Sequence, residues 1–232
     1  MADDAADLDG LIRRVDPDRW LTSRFVGDAA ARADVIALYA VAHELARARL
    51  VASTPLLAEM RLVWWREAVE EMFGEGPVRQ HPAAEALARA ARSRSLPRAA
   101  LEAMIEGHIA ALEGLPLGEA ATLAWAEAVE GETARLAALI LDPSAPAQAA
   151  VPAGRAYGLA VAARSGLANL DVVHEPLRRA LAEARVSARR LGVKALPAAL
   201  PARLARFDLA GRRPGPLAKQ TALILSAATG RI

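Results

Sequence analysis

The sequence contains no cysteine, which removes disulfides, zinc–thiolate sites and thiol nucleophiles from consideration. Aromatic residues are scarce, at 4%. No apolar run approaches the roughly 18 residues a transmembrane helix needs, so none is predicted. The N-terminus, Met1-Ala2-Asp3-Asp4, is acidic and lacks an apolar stretch, which predicts neither a signal nor a transit peptide. The expected location is therefore cytoplasmic, with contact at the inner face of a membrane left open to a helix face. The 29 basic and 27 acidic residues give a formal charge of only +2. That balance predicts no basic surface, and no Lys/Arg run is interleaved with aromatics, so no nucleic-acid partner is expected. Gly-x-Ser-x-Gly, Walker and dinucleotide-binding patterns are all missing. The histidines at 43, 81, 108 and 174 stand apart, and none completes the Glu-x-x-His of a bundle di-metal site. Aspartate is missing altogether between Asp34 and Asp142.

What is present points to helices. Hydrophobic residues make up 54% of the 232, mostly Ala and Leu, which are strong helix formers. No segment alternates at period two, so an all-α fold is predicted. Short, proline-punctuated loops argue for one domain over 1–232, with 1–15 as a flexible or loosely packed N-terminus. Asp16-Pro17-Asp18 starts one helix and Asp28 caps a long one to about Val51. Thr54-Pro55, Pro82 and Pro97 start three more. Leu117 to Leu141 reads as one long helix loosened at Gly131. Helical pattern resumes over 152–169 and 176–191, and a last helix covers 217–229.

The stretch Leu56–Met72 carries two apolar stripes. One holds Leu57, Met60, Trp64 and Ala68; the other holds Leu62, Trp65, Val69 and Met72. So wide an apolar arc predicts a central helix wrapped by the others. Arg66 and Glu70 are spaced to pair. Two acid pairs at helical spacing, Glu67 with Glu71 and Glu102 with Glu106, could hold Mg²⁺ beside a ligand phosphate; a solvated helix face is the plainer explanation.

Several stretches, in this order, resemble the squalene/phytoene synthase family. They are Asp16-Pro17-Asp18-Arg19-Trp20, Ala37-Leu38-Tyr39-Ala40, Pro55-Leu56-Leu57, Arg61-Leu62-Val63-Trp64-Trp65-Arg66-Glu67 and Tyr157-Gly158-Leu159-Ala160, with a matching tail from Lys219-Gln220. The resemblance implies an isoprenoid-synthase-like helical bundle around a central helix and cavity. It also implies head-to-head joining of two prenyl diphosphates, with Mg²⁺ held by Asp-rich motifs on two facing helices. The sequence departs from both motifs. Ala46, Arg47 and Leu50 align with the first set of aspartates, and Val161 to Gly166 contains no acid. It is in this respect similar to a non-classical branch that includes a mitochondrial assembly factor for respiratory complex I.

Three functions follow as expectations. The first is a pseudoenzyme that binds a protein partner, an isoprenoid or an anionic lipid, with no cofactor. The second is a Mg²⁺-dependent prenyl transferase that uses Glu44, Glu67 or Glu71 as replacement ligands. The third is a helical interaction module without a ligand. For the first, Arg47 reverses the charge at an aligned Asp position and His43 lies one turn before it. Arg66 and Arg164 could complete an anion- or lipid-binding cluster, since guanidinium forks match phosphate oxygens.

Overall fold

The computed structural model describes residues 7–232. Proline and aspartate set the early boundaries. Asp7 caps α1 (Leu8–Val15) and Asp16 caps α2 (Pro17–Ser23), each accepting a backbone N–H three residues on. Asp28 caps the long α3 (Ala29–Leu50), and Thr54 caps α4 (Pro55–Phe73) with Pro55 in the first turn. α5 (Pro82–Arg94) and α6 (Arg98–Ala110) follow. Then come α7 (Glu119–Trp125), a π-helical segment (Ala126–Gly131) and α8 (Glu132–Leu141). A short 3₁₀ turn leads into α9 (Val151–Arg164); α10 (Leu170–Ser187), α11 (Pro201–Leu209) and α12 (Pro216–Thr229) complete the chain. Among the described residues the only β pairing is an isolated bridge between Leu117 and Ala168.

The core is continuous from Ile12 to Ile232 and rich in alanine, so helices approach closely. Its axis is α3, α8 and α9. In α9 both faces are buried, from Val151 through Tyr157 to Ala162. Close approach is built into α9 by Gly154 and Gly158, four residues apart. A Cβ at Gly158 would lie 2.8 Å from the Cβ of Glu130, and one at Gly154 would strike the Glu130 carbonyl. These two glycines let the π segment lie directly on α9.

Several expectations are corrected here. α4 is not the central helix. Its second stripe, Leu62, Trp65, Val69 and Met72, is buried against α3, α5 and α6, but Leu56, Leu57 and Met60 are exposed. The wide apolar arc is instead covered on one side by the following loop: His81 stacks edge-on with Trp64 and Trp65, and Arg79 lies over the Trp64 ring at 4.9 Å. The segment expected to be loosely packed is helical from Leu8, because Ile12 is fully buried beneath it; residues 1–6 lie outside the described residues. Pro176 does not start a helix but sits inside α10, buried against the core.

Candidate functional site

The helices that the sequence aligned with the metal-binding pair, α3 and α9, do face each other, and what lies between them is an ion pair. Asp16 caps α2 by accepting from the Arg19 N–H at 3.1 Å. This fixes Arg19 one turn into α2, with its side chain turned inward. There the guanidinium lies between the rings of Tyr39 on α3 (5.1 Å) and Tyr157 on α9 (5.2 Å). Its Nη2 donates to Glu130 Oε2, and its Nη1 lies 3.5 Å from Asp16 Oδ2. The Tyr157 hydroxyl donates to Asp16 Oδ1 at 3.2 Å. Only about 10 Å³ of space remains beside Arg19, Tyr39, Glu130 and Tyr157, room for at most one water. The space at this cluster is therefore filled by side chains.

The electrostatics make this a static cluster. Burial disfavours the Arg19 charge, but Glu130 and Asp16 outweigh it, and the guanidinium is held above its ordinary value. Burial pushes the Glu130 carboxyl up, and Arg19 pulls it back in part. A guanidinium that stays charged keeps a carboxylate opposite it. Burial raises the Tyr39 phenol to about 12 against the pull of Arg19. Tyr157 is likewise raised by burial, with Asp16 adding to it. Neither phenol is poised to move a proton near neutral pH.

Glu130 was not found from the sequence. Its signal was an acid with no basic residue three or four positions away, in the apolar run Ala126-Val129-Ala134-Ala137, next to the loosening expected at Gly131. The loosening is the π segment itself, a geometry that recurs at functional positions.

The residues singled out from the sequence are not brought together. Arg47, half-exposed, pairs with Glu44 at 3.3 Å on its own helix. Arg66 does not pair with Glu70; it reaches across to Glu106 on α6, with Nη2 at 2.6 Å and Nε at 3.0 Å. Arg164 pairs with Asp208 on α11 at 2.7 Å and lies over the Tyr157 ring at 5.4 Å. His43 is half-buried, and burial lowers its pKa against the opposing effect of Glu44. Each of these arginines thus answers a separate carboxylate.

The residues also do not fit the Mg²⁺ that the family's chemistry calls for. Arg79 occupies the space between the replacement acids, donating to Glu71 at 2.6 Å and to Glu67 at 3.1 Å. Hydrogen bonds from Arg79 hold the Glu71 carboxyl below its usual range. Glu102 pairs with Arg98, and Glu44 with Arg47. Among the described residues no three His, Asp or Glu side chains gather at one point.

A groove of about 830 Å³ does open beside this cluster, between the α1–α2 junction, the end of α9, α11 and the loop into α12. Asp16, Asp18 and Asp208 line its inner part, while Arg212 and Arg213 stand at its exposed edge.

His108 is a second buried titratable group. Among the described residues its Nε2 and the indole nitrogen of Trp125 have no hydrogen-bond partner, and their rings meet edge-on at 6.1 Å. Burial, then repulsion from Arg49 and Arg19, lowers the His108 pKa to about 3. An unfolded chain would protonate it near 6.5, so the unfolded state gains protons first as the pH falls. Stability is therefore expected to drop between about pH 6.5 and 3, by about 2 kcal/mol at pH 5 from this residue alone. Urea melts of parent and His108→Leu at pH 7 and pH 5 measure it. The variant should lose most of the difference, with a smaller remainder from His43; an equal drop in both proteins would show that His108 is not the group responsible.

The family model for squalene/phytoene synthase matches residues 12–170. No curated protein matches the chain. The matched span runs from the second half of α1 through α9, hence over the facing helices, Arg19, Glu130 and both tyrosines of the closed centre. On that match and its all-α architecture, this chain belongs to the squalene/phytoene synthase family.

Proposed function

We propose that this chain is a family member that no longer condenses prenyl diphosphates and serves as a binding protein, for a partner protein or for an isoprenoid or anionic lipid. Respiratory-complex assembly is the setting that its likeness to the non-classical branch suggests. The observation that carries this reading is the closed centre. The Arg19–Glu130 pair and two tyrosine rings fill the space between α3 and α9 at Tyr39 and Tyr157, next to the aligned Asp positions on both helices. Ionising a prenyl diphosphate leaves concentrated negative charge beside a carbocation, which a dry site tolerates only with metals and their carboxylates in place. Here the acids Glu67 and Glu71 are engaged by Arg79, and an arginine stands at an aligned Asp position. Two unit charges 4 Å apart interact by about 4 kcal/mol at an effective dielectric near 20, so one arginine offsets much of what a metal site needs.

The expected result of incubating the protein with radiolabelled farnesyl or geranylgeranyl diphosphate and Mg²⁺ or Mn²⁺ is no C30 or C40 product. Product formation that Glu67→Gln abolishes would overturn the reading and identify a replacement ligand.

A further inference from the structure

The near-neutral charge of the chain conceals a segregation. From residue 184 to the C-terminus there are ten basic residues and one acid, Asp208, whereas the preceding residues are net acidic. The even balance therefore does not mean an evenly charged surface. Part of this excess gathers on α11 and the loop into α12. Arg203 and Arg212 both lie over the Phe207 ring at 5.8 Å, and Arg206 and Arg213 stand beside them. Burial and then repulsion by Arg206 lower the Arg203 pKa. Among the described residues none of these four arginines makes an ion pair. The two nearby acids are already engaged, Asp208 by Arg164 and Asp18 by Lys219.

The adjoining α12 carries unpartnered apolar side chains. α12 is held to the body mainly through Leu223, packed on Leu200 and Leu204. Its outer side leaves Leu217 79%, Ile224 50% and Leu225 57% exposed. Leu217 and Ile224 are two turns apart on one face of the helix. Unpaired arginines next to an exposed aliphatic stripe form the pattern of a helix lying in a lipid headgroup layer.

We propose that the α11–α12 face docks on an anionic phospholipid surface, with Arg212 and Arg213 on headgroup phosphates and Leu217 and Ile224 entering the acyl boundary. The proposal deepens the binding reading and does not depend on the loss of catalysis, so vesicle and product assays can fail separately. Charge selects this occupant. A free anion entering the groove would meet Asp16, Asp18 and Asp208 inside, with Arg164 and Lys219 already paired to two of them, while the unpaired cations sit at the edge, where a headgroup layer would touch. Single-stranded nucleic acid would need rings to stack bases, and the one ring in this patch, Phe207, is flanked by Arg203 and Arg212.

The test is co-sedimentation of the full chain with phosphatidylcholine vesicles, with and without phosphatidylserine. Binding is expected only with phosphatidylserine and should weaken as salt is raised. Arg212→Gln/Arg213→Gln should weaken it about 30-fold, from about a factor of five per arginine near an anionic surface. Leu217→Ser/Ile224→Ser should weaken it about tenfold or more. Arg178→Gln, which removes an exposed arginine paired with Glu175 on α10, should leave it within about twofold. Both double variants change exposed side chains, and unchanged circular dichroism confirms that they fold. Equal binding to neutral vesicles, or no loss in Arg212→Gln/Arg213→Gln, would overturn the proposal. So would displacement by inorganic phosphate at matched ionic strength, which would assign the arginines to a free anion. A dimer in solution that Leu217→Ser/Ile224→Ser breaks would assign the stripe to a second copy instead.

Discussion

Glu130→Gln is expected to destabilise the protein by about 3–5 kcal/mol, the range for removing one partner of a buried ion pair. Arg19 is only 6% exposed, so it cannot regain water when Glu130 is neutralised. Asp16 remains, but at 3.5 Å and with Tyr157 already donating to it. The loss is therefore mainly the cost of a charge left buried without its counter-ion. Arg19→Met/Glu130→Met should recover part of it, since an apolar pair of similar volume carries no such cost. Urea unfolding of the two single variants and the double variant measures the coupling. Glu130→Gln within about 1 kcal/mol of parent would show that the pair is not buried as described.

Trp65→Ala should cost a comparable amount, about 3–5 kcal/mol, as a large aromatic is removed from a packed core. Its ring is 4% exposed and touches both Trp64 and His81. Trp64 sits on the adjacent, half-buried side of α4 beneath Arg79. Trp64→Ala should therefore cost less, about 1–2 kcal/mol, for partial burial and one cation–π contact. From the sequence both tryptophans looked equally central, and the contrast in midpoint between the two variants distinguishes the arrangements. Equal losses would restore α4 to the middle of the bundle.

Local chemistry was legible in the sequence and partnership was not. Asp16, Asp28 and Thr54 cap helices where their spacing to proline or to an apolar run predicted, because a cap is made within four residues. The apolar stripes were also read correctly, but which stripe is covered depends on a distant helix or loop, so Leu57 and Met60 came out exposed. Arg66 illustrates the same limit. Four-residue spacing made Glu70 its obvious partner, yet Glu106 lies across the α4–α6 contact and takes the guanidinium. Pro176 misled for a related reason: a helix already under way accepted it, and the tertiary contacts of α10 outweighed the lost backbone bond. The closed centre needed Arg19, Tyr39, Glu130 and Tyr157, drawn from four separate segments, and no spacing rule connects them.

The π segment has a bearing on how this fold reads its own sequence. A π turn takes up one residue more than an α turn, so the chain after Gly131 is turned by roughly 100° relative to an uninterrupted helix. α7 and α8 are thus out of phase, although they are continuous in direction. Trp125 and Val129 both face α6, where His108 and Gly107 meet them. The segment acts as a phase shifter: the π turn itself lies on α6 and α9, α8 goes on to pack against α3, and Glu130 is left at the seam, facing Arg19.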